Sequence, residues 1–300
     1  MDFLNYTDWQ ATADTLHMLL QMSGKVKLVH CEKRPEWAHI RQFLTLEGIS
    51  TGIISCNPSP FEIRFNFRAD QVEFRNYNGK SEIVPLKDGI SIATYYQQFL
   101  SALKKIDIPA NICVHPQEFY DPVAFDQDEK HHSYDHKQAL LWLDNMTFAY
   151  KVLNVFLSPF RGKVNCPAYY FGTMDLSCMV YSGEAAPLGK NGSVMQYAFD
   201  ERCYECGFWP GDPNFPEPAF YGMPYPFLKE LQENEKFLRP GNAFFMPGKM
   251  EFFFKLKDVL AYPNPKRMAV DFCRSGFDLI QEISRWKNLD WITRPLEYPE

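Results

Sequence analysis

No apolar run in this 300-residue sequence is long enough to cross a membrane. The opening MDFLNYTDWQ is acidic and polar, unlike a secretory or transit leader, so a cytoplasmic protein is expected. Eight cysteines, at 31, 56, 113, 166, 178, 203, 206 and 273, lack the compact spacing of a disulfide scaffold and read as reduced thiols. There is no Walker loop, no GxGxxG opening a helix, no GxSxG elbow and no kinase motif set, which argues against phosphate cradles and the commonest serine hydrolases. Gly183 to Gly192 is glycine-rich but lacks the Lys-Ser/Thr ending of such a cradle. Long basic runs are missing too. With a net charge of −6, and only Lys104-Lys105 and Lys266-Arg267 as local basic pairs, no nucleic-acid partner is expected.

Aromatic residues, at 16%, are abundant, and the patterning alternates between helical and extended periods. Thr7 to Gln10 has the form of a capping box, and Trp9, Ala13, Leu16 and Leu20 predict a helix to about Met22, closed by Ser23-Gly24. Lys25 to Leu28 and His39 to Thr51 read as extended. Phe61 to Phe67 alternates apolar and polar side chains, as a half-buried antiparallel strand does. Gln71–Tyr77 and Glu82–Leu86 continue the meander across the turn Asn78-Gly79. A helix over Ile92–Leu103, a strand over Ile112–Phe119 and a long helix from Asp135 to Leu157 follow. Beyond them come extended Ala168–Tyr181, the strand Met250–Leu256, and a last helix opened by Asn264-Pro265.

These elements predict an α+β fold, an antiparallel sheet with helices on one face, in a single structural unit. Gly24-Lys25-Val26 matches Gly162-Lys163-Val164, and Leu86-Lys87-Asp88 matches Leu256-Lys257-Asp258. The matches suggest pseudo-repeat halves of about 1–110 and 111–300, the second carrying an insertion near 183–248. A duplicated β-α-β4-α order would resemble the TATA-binding-protein-like or helix-grip saddle, an analogy silent about function.

Cys206 to Phe227 is the densest feature: six prolines and seven aromatic rings lie between Gly207 and Phe227. Prolines at that density forbid a helix and disfavour a central strand, so a rigid loop walling a pocket is expected. Asp126 to His136 collects Asp, Glu and His, the groups a divalent metal or an acid–base pair requires, although an acidic stretch ahead of a helix is also favoured by the helix dipole alone. Cys203 and Cys206 form a lone CxxC, read as two ordinary thiols rather than half of a zinc site. His17 beside an apolar stripe is either a satisfied core residue or a ligand. Trp37 and His39 are pocket-wall or core rings. Asp175, inside an apolar stretch, is either tied by hydrogen bonds or functional.

Three motifs, WxxTxxTLHMxxQMxGK (Trp9 to Lys25), FDxDExHxSYD (Phe125 to Asp135), and GFWPG with EPAFYxxxYP (Gly207 to Pro226), resemble the bacterial family known as domain of unknown function 5996. The resemblance implies one unit of about this length and no established activity. It singles out His17, Asp126, Glu129, His131, Tyr134, Trp209, Glu217 and Tyr221 as motif positions. Where that family often carries Ser-His-Glu ahead of GFWPG, this chain has Asp200-Glu201-Arg202. The expectation is an enzyme for a small polar metabolite. Glu129, His131 and Glu217 would be acid–base groups, Asp126, Glu129 and His131 ligands for a divalent metal, and Trp209 and Tyr221 an aromatic wall. His17, Trp37, His39, Tyr134 and Asp175 complete the ligand-binding candidates. The alternative is a non-catalytic module binding a small molecule or protein.

Overall fold

The computed structural model describes residues 1–189 and 194–297; the glycine-rich stretch Gly183–Gly192 therefore lies partly outside the described residues. The architecture is α+β, with helices and two antiparallel sheets. Residues divide into two compact units, one of Asp2–Asn145 with Tyr169–Asp175, the other of Met146–Ala168 with Leu176 onward and Met1.

The N-terminal unit is organised around α1 (Tyr6–His30), in which every residue from Thr12 to Lys27 is buried. A helix enclosed on all sides carries no single apolar stripe, so its polar residues must be satisfied internally. The cap lies two residues ahead of the expected Thr7: Asn5 N–H donates to the Asp8 carboxylate at 3.1 Å. The far end also differs from expectation, because Ser23-Gly24 and Lys25–Leu28 continue the helix. Gly24 is there for contact, since a Cβ on it would stand 2.0 Å from the Phe171 ring. Gly24-Lys25-Val26 therefore lies inside a helix, whereas Gly162-Lys163-Val164 follows α3 (His136–Leu157).

Strands β1 (Phe43–Leu44), β2 (Gly48–Ser50), β3 (Phe61–Asn66), β4 (Gln71–Asn76) and β5 (Ser81–Pro85) form a meander paired in sequence order. The single strand expected over His39–Thr51 is thus a tight hairpin, reversing where Gly48 N–H donates to Thr45 Oγ1. Phe61, Ile63 and Phe65 of β3 are buried, and Glu62, Arg64 and Asn66 lie on the other face. Helix α2 (Ile92–Lys105) packs Phe99 edge-on against Phe74 of β4, with ring centroids 4.9 Å apart. The strand expected over Ile112–Phe119 does not form. Instead Gln21 acts as a side-chain strand for it, accepting from Gln117 N–H at 2.7 Å and donating to Gln117 C=O at 2.8 Å.

In the C-terminal unit, β6 (Val164–Tyr170), β7 (Asp175–Ala185), β8 (Glu201–Trp209), β9 (Ala219–Tyr225), β10 (Phe244–Met246) and β11 (Glu251–Lys255) form a sheet of order β10-β11-β9-β8-β7-β6. Half of the ring-rich stretch is therefore paired as two interior strands, and the other half is mostly the connection between them. Four of its prolines, 210, 213, 216 and 218, sit in the connection after Trp209, where no ladder is needed. Pro224 pairs with Tyr204 of β8 but lies past Gly222, the last β9 residue paired with β11 at that end. The second half of α3 and α4 (Pro265–Ser284) cover the sheet through Phe156–Tyr204, Phe160–Phe277 and Phe254–Phe272 contacts, with centroids 5.9, 4.8 and 5.7 Å apart. Asn264 caps α4 as expected, accepting from Arg267 N–H at 3.1 Å. Cys203 and Cys206 lie on β8, and all eight cysteines are free thiols.

Candidate functional site

The start of α2 supplies the scaffold for the acidic-His loop. First-turn amides of a helix have no intrahelical acceptor. Here Ile92 N–H donates to His131 C=O and Ala93 N–H to Asp128 C=O, each at 2.9 Å. Gly89 N–H adds a bond to His132 C=O at 2.8 Å. The loop's distal end is held by Tyr134, whose N–H reaches Asp88 at 3.0 Å and whose hydroxyl donates to Asp70 at 2.6 Å. Asp135 then caps α3, accepting from Gln138 N–H at 2.9 Å.

This anchoring buries Asp128 completely and leaves His131 5% exposed. One Asp128 oxygen accepts the backbone N–H groups of His131 and Lys130, at 3.0 and 3.1 Å. The other faces His131 Nδ1 at 2.7 Å. A carboxylate accepts, so Nδ1 carries the proton and Nε2 is the free ring nitrogen. That Nε2 is buried and has no hydrogen-bond partner in the protein. Phe119 stands edge-on to His131 at 5.5 Å and fixes the ring from the side.

A cavity of about 480 Å³ opens beside it, lined by Thr7, Gln10 and Asp14 of α1, by Tyr120, and by Lys130, His131 and Ser133. The size suits a small metabolite. Asp14 is 4% exposed, and its two oxygens accept from the Tyr6 and Tyr120 hydroxyls, each at 2.5 Å. Burial pushes the Asp14 carboxyl up from its ordinary range, against the hydrogen bonds from the two hydroxyls. Gln10 Nε2 donates to the Tyr120 hydroxyl at 2.6 Å. Burial and the neighbouring Asp14 push that phenol well up. Lys130, at the exposed side, is paired with Asp121.

Of the residues singled out by sequence, His131 is in this cavity. Asp126 and Glu129 are exposed on the same loop, and among the described residues no group of three or more His, Cys, Asp or Glu stands close enough to hold a metal ion. The expected ligand trio of Asp126, Glu129 and His131 therefore does not converge, because Asp128, between the two exposed acids, takes the inward position. His17 is a buried tie, its Nε2 2.7 Å from Phe171 C=O and 3.1 Å from Gly172 C=O. Trp37 and His39 pack ring to ring at 5.7 Å in the turn after α1. Asp175 opens β7, buried, and accepts from the Thr173 hydroxyl.

Trp209, Glu217 and Tyr221 belong to the C-terminal unit. Trp209 stacks on Phe215 at 5.8 Å, under the Lys249 ammonium at 4.3 Å. Glu217 is paired with Lys255 at 2.7 Å and Lys257 at 3.2 Å, and these bonds hold its carboxyl below the usual range. The Tyr221 hydroxyl donates to Glu205 at 2.9 Å.

Sequence reading passed over Asp14, Tyr120, Asp128 and Lys130. Two signals were available: Asp128 stands three residues before His131, and Asp14, His17 and Gln21 recur at one-turn spacing in an otherwise apolar helix. No curated protein and no solved structure matches the chain. A family model does match, over residues 2–291, and by that match the chain belongs to the family of unknown function DUF5996.

Proposed function

We propose that the N-terminal unit is an acid–base enzyme for a small polar metabolite, with His131 as the base and Asp128 as its positioning partner. The observation that carries this reading is a histidine lining a cavity, held through Nδ1 by a wholly buried carboxylate and with its Nε2 unpartnered. An aspartate on Nδ1 sets the tautomer and stabilises the imidazolium formed when Nε2 takes a proton. Across the cavity, the Asp14–Tyr120 pair supplies a hydroxyl held in place from both sides. The Tyr120 hydroxyl, whose own proton is directed at Asp14, would accept a hydrogen bond from the substrate and orient it, and the proton taken up by His131 Nε2 would be returned to the substrate from the same nitrogen. The helix, antiparallel sheet and covering helix found in each unit support the reading of a duplicated architecture.

The test is a library of polar metabolites screened by thermal shift, with hits followed by NMR in deuterated buffer for turnover or solvent exchange. H131Q should abolish the reaction, and D128N should slow it by roughly 10²–10⁴-fold. Hits that bind wild type and H131Q alike without being transformed would favour a binding module instead. That second reading draws on Asp14, whose two oxygens are already engaged by hydroxyls.

A further inference from the structure

Two buried carboxylates belong to the cavity region, and they are satisfied in different ways. Asp128 receives two backbone N–H groups and the Nδ1–H of His131. Asp14, 4% exposed on α1 and lining the cavity, receives two phenol hydroxyls. Both tyrosines are the donors. Tyr120 already accepts from Gln10 Nε2 at 2.6 Å, which directs its own proton at Asp14, and Tyr6 donates to the other oxygen at 2.5 Å. A carboxyl that receives a hydroxyl on each oxygen has no proton of its own to place, so Asp14 carries its charge.

No cation meets that charge. Among the described residues Asp14 is in no ion pair. The only lysine or arginine lining the cavity is Lys130, which is paired with Asp121 and feels Asp14 only from beyond contact. His131 gives its Nδ1–H to Asp128. Asp8, exposed on the same lining, adds a second carboxylate, whose one bond is from Asn5 N–H at 3.1 Å. A buried carboxylate is ordinarily matched by a cation, because neutral donors alone offset only part of its lost hydration. Burial raises the Asp14 carboxyl, the direction expected of an anion left with neutral partners. The two hydroxyls occupy one lone pair on each oxygen and leave another on each.

We infer that the small molecule taken by this cavity carries a protonated amine, bound on Asp14. The inference rests on reading the cavity as the reaction site, and it names the substrate class: a polar amine, not a carboxylate or a phosphate. An ammonium is a compact charge with three N–H donors, so it can meet a free lone pair of Asp14 together with other oxygens of the lining, such as the Gln10 amide. It would supply the missing counter-charge to the buried anion. A neutral hydroxyl in the same position would leave Asp14 uncompensated, and an anionic group would be repelled by it.

The experiment is titration calorimetry of the full chain with three probes of matched length, 4-aminobutan-1-ol, 1,4-butanediol and 4-hydroxybutyrate, alongside thermal shift against sodium chloride at matched ionic strength. Wild type should bind the amino alcohol about tenfold or more tighter than the diol, and gain melting temperature beyond the salt control. D14N, which keeps the shape of the side chain and removes its charge, should lose that preference while keeping its far-UV circular dichroism. Should D14N misfold, the ranking of the three probes on wild type decides. H131Q should bind the amino alcohol as wild type does. Amine binding without turnover would therefore remove the catalytic reading and leave this assignment standing. Equal binding of amino alcohol and diol overturns it, as does tighter binding of 4-hydroxybutyrate or an undiminished preference in folded D14N.

Discussion

His17 is neutral in the folded chain because burial lowers its pKa from 6.5 to about 4, against the pull of two backbone carbonyls. The unfolded imidazole takes a proton near pH 6.5, where the folded one does not. Stability from this group is therefore complete above pH 6.5 and is lost as pH falls toward 4, by about 3 kcal/mol in all. His30 and His39 are lowered too and act in the same direction, while Asp14, raised by burial, acts in the opposite one. Melting temperature measured from pH 7 to 4 should fall more steeply for wild type than for H17Q, and equal slopes would refute the account. At this scale the sequence was informative about residue type and uninformative about direction. His131 was legible because histidine beside acids is rare chemistry. Asp128 was not, since Asp126, Asp128 and Glu129 are equivalent on paper until the first-turn amides of α2 choose which of them turns inward.

Periodicity made α2, α3, α4 and the meander β3–β5 legible, because each buries one face and exposes the other. It failed at both ends of α1, an element buried on every side. There Ser23-Gly24 imitates a C-terminal stop, while the true function of Gly24 is to admit the Phe171 ring. The two roles make opposite predictions for G24A. A terminal glycine exchanged in a helical position would gain roughly 1 kcal/mol in propensity. A contact glycine forces a Cβ to within 2.0 Å of a ring that is 2% exposed and has little room to move. Overpacking of this kind costs about 1–3 kcal/mol, so, less the propensity gain, G24A should lose up to about 2 kcal/mol net in urea unfolding. Shortening the ring in G24A/F171L should recover part of that loss.

Across the whole chain, composition anticipated an α+β protein rich in buried rings but misplaced the rings between Cys206 and Phe227. Proline counts argue against strands only when the prolines fall within the ladder, and most of these sit in the connection between β8 and β9. What identifies the stretch as sheet is a relation no linear reading contains: glycine opposite aromatic across strands. Gly207 pairs with Tyr221, and a Cβ there would meet that ring at 2.5 Å. The same device sets how closely α4 approaches the sheet. Tyr204 of β8 points its hydroxyl between Gly222 of β9 and Gly276 of α4, where added Cβ atoms would lie 2.3 and 2.4 Å from the oxygen. That hydroxyl is buried, and the Cys206 thiol beside it is at most a weak partner, so removing it forfeits little. G276A alone should destabilise the protein by about 1–2 kcal/mol, the clash outweighing alanine's helix preference. With the hydroxyl gone, the neighbours left are Tyr204 Cζ at 3.2 Å and Phe252 Cδ2 at 3.4 Å, close to ordinary contact. In the Y204F background G276A should therefore become neutral or stabilising, a change of sign readable from a double-mutant cycle in urea. An equal cost in both backgrounds would mean that the helix is set on the sheet by the surrounding phenylalanines instead.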